Sequence, residues 1–342
     1  MKVALDAMGG DYAPEVTIAG AIEAVNEYDL EVILVGDRQR LGQCLKEERY
    51  PADRISVFHA SEVIAMYESP SAAIRRKRDS SIWKAVELVR KGEADAAVSA
   101  GHSGVAMATS LFLLGKLPNV DRPAIAASMP SLAGYFVLID AGANVDSKAE
   151  NLLQFAYMGN AYYKAIFNVP VPRIALLSIG EEDTKGNELT KEAFKYLKAA
   201  DLNFIGNIEG KDVFTGAADV IVCDGFIGNV VLKVSEGLAE TILKMLKMEV
   251  ANLRSGRIAY LMLKPAIRNF KKRTDYSEYG GAPLLGINGT CIISHGRSSA
   301  RAIKNATRVA AEMARKKVQE TIATDLNKSS AVVVGEGPVK RA

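Results

Sequence analysis

The sequence predicts an α/β fold: a three-layer α/β/α arrangement on a largely parallel, mixed sheet. Strand and helix signals alternate along most of the 342 residues. The strand segments are short, continuous apolar runs, as expected for strands covered on both faces. The ends of these runs repeat the same glycine, amide and carboxylate chemistry, which is where open α/β sheets hold ligands.

Residues 2–5 (KVAL) read as the first strand. They run into Asp6-Ala7-Met8-Gly9-Gly10-Asp11, and an apolar helical pattern begins near Pro14. Segments 31–36 (EVILVG) and 54–59 (RISVFH) are strands, and Ile82, Trp83, Val86, Leu88 and Val89 mark a helix over 80–91. A strand at 94–99 precedes a helix at 103–115. The charge-free run 123–139 is broken by Pro130, Ser131 and Gly134, so it reads as two strands and not as a membrane span. Helices follow at 150–167 and 187–200, and strands at 173–179, 203–206 and 219–223. A long helix starts near Gly228, and 286–294 suits a short antiparallel pair. A last helix covers 299 to about 325, with a disordered tail from 326. Residues 1–325 are therefore expected to form one α/β catalytic domain, with a basic amphipathic helical segment at 250–273.

Hydrophobic residues make up 49% of the chain and charged residues 24%, which suits a globular protein with a substantial core. Cys44, Cys223 and Cys291 are too few and too scattered for a disulfide framework or a cysteine zinc site. His59, His102 and His295 have no metal-ligand spacing, so neither metal nor cofactor is expected. Asp6 comes too early for a secretory signal, and a cytoplasmic protein is expected. Net charge is +3, but 244–273 holds nine basic residues against one acid, a local +8 that leaves −5 elsewhere. Such a block points to a specific acidic partner or surface and away from general nucleic-acid binding.

Six expected strand ends carry small or amide residues: Asp6 with Gly9 and Gly10; Ser99 with Gly101 and His102; Asp140 to Asn144; Gly180 to Lys185; Gly206-Asn207; and Asp224-Gly225 with Gly228-Asn229. Placed on one rim of the sheet, their backbone N–H groups would bind phosphate or stabilise an oxyanion. Neither G-x-G-x-x-G nor the P-loop pattern occurs, which disfavours a dinucleotide or nucleoside triphosphate. Lys185 is either a solvated loop charge or a phosphate ligand. Asn229 is either a helix N-cap or an amide donor on the rim. Gly101-His102-Ser103-Gly104-Val105 falls one glycine short of the G-x-S-x-G elbow. Ser103, Asp224 and His295 follow hydrolase order, so a serine hydrolase or thioesterase is the rival reading.

Together these loops resemble the phosphate acyltransferase family PlsX over roughly 1–325. The markers are 6–11, 99–101, 140–146, Lys185-Gly186, 224–226 with 228–230, Tyr279-Gly280-Gly281-Ala282 and Ser294-His295-Gly296. The resemblance implies an isocitrate/isopropylmalate-dehydrogenase-like fold and a homodimer. It also implies formation of acyl phosphate from acyl-acyl-carrier protein and inorganic phosphate, feeding glycerol-3-phosphate acylation in phospholipid synthesis. Under it, Lys185, Asn229 and His102 are the expected catalytic residues. Asp6, Gly9, Gly10, Ser99, Gly101, Asn144, Asp224, Gly228 and His295 are expected to hold substrate, with His295 either a proton donor or a buried packing residue.

The basic segment interleaves charge with Ile258, Tyr260, Leu261, Leu263, Ile267 and Phe270, and Pro265 is expected to split it into two short helices. Arg254, Arg257, Leu261, Ile267 and Lys271 would meet an anionic membrane face, an acyl-carrier protein or a dimer mate. A product with a long acyl chain makes a peripheral membrane position and a membrane glycerol-3-phosphate acyltransferase expected partners. The run Arg75-Arg76-Lys77-Arg78 is a second place for carrier-protein acids. A carrier-binding scaffold without chemistry is the non-enzyme alternative.

Overall fold

Eleven strands join one sheet in the computed structural model, which describes residues 1–252, 262–268, 270 and 279–335. In chain order they are β1 (Lys2–Asp6), β2 (Glu31–Gly36), β3 (Ile55–His59), β4 (Ala96–Ser99), β5 (Ala124–Ser131), β6 (Gly134–Ile139), β7 (Ile174–Leu177), β8 (Phe204–Ile208), β9 (Val220–Val222), β10 (Ala282–Leu285) and β11 (Cys291–Ile293). The helices between them are α1 (Glu15–Glu27), α2 (Arg38–Lys46), α3 (Pro70–Arg76), α4 (Ser81–Arg90), α5 (Ser103–Leu114), α6 (Ala149–Phe167), α7 (Glu188–Ala199) and α8 (Gly225–Asn252). Two more, Ala300–Arg315 and Val318–Gly335, follow β11 among the described residues.

Continuous apolar strands are covered on both faces because successive side chains alternate between two cores. Val3 and Leu5 of β1, Val137 and Ile139 of β6, and Val220 and Val222 of β9 point into one core, shared with α1, α6 and the C-terminal helices. Ala4 points the other way, into a core with α4 and α5, and Phe136, Leu138 and Ile221 point into a third that Val231 and Leu232 of α8 pack against. The result is an α/β/α sandwich.

The strand order is β3-β2-β1-β4-β11-β10-β5-β6-β9-β7-β8. Strands β3, β2, β1, β4 and β11 are mutually parallel, as are β6, β9, β7 and β8. Between them, β10 is antiparallel to both β11 and β5, and β5 is antiparallel to β6. Three successive reversals turn the second set opposite to the first. The carboxyl ends of β1, β4 and β11 therefore lie on one rim and those of β6, β9, β7 and β8 on the other. This corrects the expectation of a single rim.

Other corrections are local. Helices α2 and α3 are short and lay unread in the sequence. The antiparallel pair is formed by Ala282–Leu285 with Cys291–Ile293, four residues earlier than expected at its start. The last helix is two helices, broken where Lys317 takes φ 51°, and the second runs to Gly335, past the expected start of the tail. Near its middle Asn119 Nδ2–H donates to Asn327 Oδ1 at 2.5 Å. The helical stretch 262–268 contains Pro265 and does not end at it. Arg254, Arg257, Leu261 and Lys271 lie outside the described residues, whereas Ile267 is half-buried.

Helix α1 packs on the Ala300–Arg315 helix at Gly20. A Cβ there would stand 2.6 Å from both Ala300 O and Ile303 Cβ. Helix propensity favours Gly20→Ala by about 1 kcal/mol. Overpacking opposes it by about 1–3 kcal/mol. The variant is expected to melt below wild type, and a Tm at or above wild type would show that this contact yields freely.

Candidate active site

On the first rim, β1, β4 and β11 end side by side. Asp6 closes β1 opposite Ser99, the last residue of β4, and Ser99 in turn pairs with Ile293 of β11. Ser99 Oγ–H donates to Asp6 Oδ2 at 2.6 Å, and the Gly101 N–H donates to Ser99 Oγ at 3.1 Å. The Met8 N–H reaches Asp6 Oδ1 at 3.3 Å. Burial pushes the Asp6 carboxyl above its usual pKa, and these hydrogen bonds oppose that shift.

The glycines around Asp6 are set by close approach. A Cβ on Gly9 would run into the Asp6 carboxylate and stand 2.8 Å from the Gly101 nitrogen. Gly10 has φ +112°, which favours glycine, and the following Asp11 N–H donates to Gly296 O at 2.7 Å. Asp6, Gly9, Gly101 and His102 line a small cavity of about 10 Å³ with Val63 and Ile64. Two polar atoms beside this network are buried without a hydrogen-bond partner among the described residues: His102 Nδ1 and Ser294 Oγ. His102 occupies the N-cap position of α5 but makes no side-chain cap.

On the second rim Asp140 closes β6 with no exposure at all. Its Oδ1 accepts from the N–H groups of Ile125, Gly142 and Ala143 at 3.0, 3.1 and 2.9 Å. Its Oδ2 accepts from Asn144 N and Nδ2, both at 2.8 Å. Burial raises the Asp140 pKa against these five donors. Asn144 is itself buried, and its amide also donates to Pro123 O at 2.7 Å.

Helix α8 starts against this loop. Asp224 Oδ1 accepts from Phe226 and Ile227 N–H at 3.0 and 3.1 Å and so caps the helix. A Cβ on Gly228 would collide with the Asp140 carbonyl. Asn229 is therefore in the second turn and is not the cap, because a carboxylate five residues earlier already serves the helix N-terminus. It is exposed, and a Cβ on Gly142 would lie 3.3 Å from its own Cβ. Lys185 follows β7 on the same rim. It is exposed and makes none of the described ion pairs, and its stem packs over Gly180, where a Cβ would stand 2.8 Å from Lys185 Cγ. Asn187 caps α7 through Thr190 N–H at 2.9 Å.

A groove of about 940 Å³ lies between the first-rim loops and α8. One wall is α8 from Val231 to Leu243, beginning half a turn beyond Asn229 and running about 18 Å at 1.5 Å per residue. Tyr12, His295 and Arg297 of the first-rim loops stand on the other side, with Met129 and Phe214 between.

The expected site residues thus fall into two groups. Asp6, Gly9, Gly10, Ser99, Gly101, His102 and His295 gather on the first rim, and Asn144, Lys185, Asp224, Gly228 and Asn229 on the second. His295 is exposed and accepts the Arg297 N–H at Nδ1, 3.1 Å, which corrects the buried-packing alternative. Ser103 opens α5 on the first rim, whereas Asp224 caps α8 on the second, so strand direction separates the members of the suspected Ser-Asp-His triad. Asp140, Ser294, Tyr12 and Arg297 were not singled out as candidates. Asp140 had a signal, since Asp140-Ala141 repeats Asp6-Ala7 at a strand end.

Among proteins of known sequence, the family described as "Fatty acid synthesis protein" matches residues 1–321. A phosphate acyltransferase of Thermodesulfovibrio yellowstonii is 62% identical over 329 residues, covering 96% of this chain and 95% of that one. A phosphate acyltransferase of Pelotomaculum thermopropionicum is 52% identical over 326 residues, 95% of each chain. Among solved structures, a phosphotransacetylase from Streptococcus pyogenes superposes with TM-score 0.64 at 20% identity, covering 92% of this chain and 94% of that one. A 4-hydroxythreonine-4-phosphate dehydrogenase from Klebsiella pneumoniae does so at 0.52 and 13% identity, covering 92% and 99%. These two likenesses establish the fold. The sequence matches, spanning nearly the full length of both partners, establish the rest: this chain is an enzyme of the phosphate acyltransferase family.

Proposed function

We propose that this enzyme makes long-chain acyl phosphate, reversibly, from acyl-acyl-carrier protein and inorganic phosphate, and that the product feeds glycerol-3-phosphate acylation in phospholipid synthesis. The observation that carries the long-chain donor is the α8 groove. Its volume of about 940 Å³ is at the upper end of the roughly 300–1,000 Å³ of pockets that bury whole ligands. An acetyl group would leave it nearly empty. Val231, Val234, Leu238 and Ile242 give it an apolar wall suited to a hydrocarbon chain.

Phosphate needs no activation to attack a thioester. An oxygen of phosphate bonds to the acyl carbon, the carbon–sulfur bond breaks, and the carrier leaves as a thiolate that takes up a proton. With a model thiol pKa of about 8.5 the thiolate is a competent leaving group, and protonation by His295 is a supplement. Lys185 and Asn229, both exposed on the second rim, hold phosphate. The oxyanion forms beside that phosphate with Asn229 as its donor on the same rim, while the Gly9, Gly10 and Gly101 amides and His102 on the first rim hold the pantetheine arm of the donor. Positioning of the reactants contributes roughly 7–11 kcal/mol in good geometry. One oxyanion donor contributes about 3–4 kcal/mol. Asp6 and Asp140 act through the loops they hold.

The groove wall continues past both its ends, with Val230 and Leu246 exposed at the same four-residue spacing as Val234, Leu238 and Ile242. Such a stripe requires cover. A homodimer mate or the inner face of the membrane supplies it in this reading, with the protein cytoplasmic and peripheral. No helix among the described residues is long and apolar enough to cross a membrane.

Lys185→Ala is expected to lower kcat/KM for phosphate by about 10²–10³-fold, with Tm unchanged because the side chain is exposed. Activity near wild type would remove Lys185 from the mechanism. With purified protein, palmitoyl-acyl-carrier protein is expected to outcompete acetyl-CoA as acyl donor to phosphate. A preference for acetyl-CoA would make this a short-chain phosphotransacylase and deprive the groove of its role.

A further inference from the structure

The segment between β3 and α4 projects beside the first rim and is stapled to its own base. Ser61 N–H and Oγ–H donate to Asp79 Oδ2 at 3.0 and 2.6 Å, and Asp79 N–H donates to Glu62 Oε2 at 3.0 Å. Lys77 Nζ donates to Glu68 Oε1 at 2.7 Å, and Lys84 pairs with Asp79 at 3.6 Å. Each acid of the segment thus serves a partner within it or at its foot. Arg75, Arg76 and Arg78 are exposed and have no carboxylate partner in the described ion pairs. Three positive charges stand there uncompensated.

Arg78 is held by aromatic faces. Its guanidinium carbon lies 5.6 Å from the Trp83 ring centroid and 6.0 Å from that of Phe112, a residue 61% exposed. The same segment reaches the first-rim loops. Pro70 Cγ is 3.1 Å from where a Gly104 Cβ would be, and Met66 Cε is 3.5 Å from that of Gly296. Val63 and Ile64 line the small cavity with Asp6 and His102. Helix α3 therefore lies along α5, with Pro70 beside Gly104 at the start of α5 and Arg78, two residues past α3, beside Phe112 near its end. From His102 to Phe112 is ten residues, about 15 Å along a helix.

We propose that Arg75, Arg76, Arg78 and Phe112 form the docking surface for the acidic protein that carries the acyl thioester, with the α3–α5 ridge leading its phosphopantetheine arm to the Gly9–Gly101–His102 loops. The inference rests on the acyl-carrier-protein reading of the donor. Charge complementarity and continuity with the first-rim loops that hold the arm select this occupant. A distant basic patch would bind a carrier without delivering it.

The test uses the full-length enzyme and two donors, palmitoyl-acyl-carrier protein and S-palmitoyl pantetheine, which has the same thioester but neither protein nor phosphate. The variant Arg75→Glu/Arg76→Glu is expected to raise KM for the carrier-protein donor about tenfold, with kcat within about twofold of wild type. The small donor should be unaffected, and Arg75→Lys/Arg76→Lys should restore KM. An unchanged KM for the carrier-protein donor overturns the proposal, as does equal loss with both donors. Loss of binding to anionic vesicles with unchanged carrier-protein KM would also overturn it and make the patch a membrane contact. Failure of wild type to use palmitoyl-acyl-carrier protein at all would instead refute the reading of the donor.

Discussion

Two buried carboxylates organise the ligand-facing loops. Asp6 and Asp140 each close a strand in the sheet interior, each is followed by alanine, and each spends its oxygens on hydroxyl, amide or backbone N–H donors within four residues or on the adjacent strand. A buried carboxyl is costly unless its acceptors are filled, so the loops fold back to supply donors. Their tightness in turn demands glycine at positions 9 and 228. Carboxylate, loop and glycine form one constraint, repeated once on each rim.

What separates the two rims is the passage from β11 through β10 and β5 to β6. Three antiparallel pairings there reverse the sheet, so loops of like composition emerge at opposite ends. Helix α8 links them. It starts at the Asp140 loop, capped by Asp224, and its middle turns face Tyr12, His295 and Arg297 across the groove. The proposed long-chain donor would lay its apolar tail along that groove.

Much of the sheet was legible in the sequence because doubly buried strands leave continuous apolar runs that no surface helix imitates. Strand direction was not legible. It depends on β10 and β11, which enter the centre of the sheet from residues 282–293, and apolar periodicity carries no sign. Helix α3, at seven residues, is too short to show a period. The glycine loops were legible as ligand-suited, but their grouping was not. The cap alternative for Asn229 arose because a glycine and an amide precede an apolar run, whereas the cap is the carboxylate at 224. Asp140 was overlooked as a candidate, since the filled acceptors that make it central appear only once Pro123 to Asn144 come together in space.

The family assignment rests on sequence matches over nearly the whole chain. The central chemical claim is that phosphate attacks the thioester directly, with no acyl group resting on the protein. Stoichiometric enzyme mixed with palmitoyl-acyl-carrier protein in the absence of phosphate tests it. Direct attack predicts no release of carrier thiol until phosphate is added and an unmodified intact protein mass. A burst of thiol equal to the enzyme present, with a palmitoyl group on Ser103 or a cysteine, would contradict it.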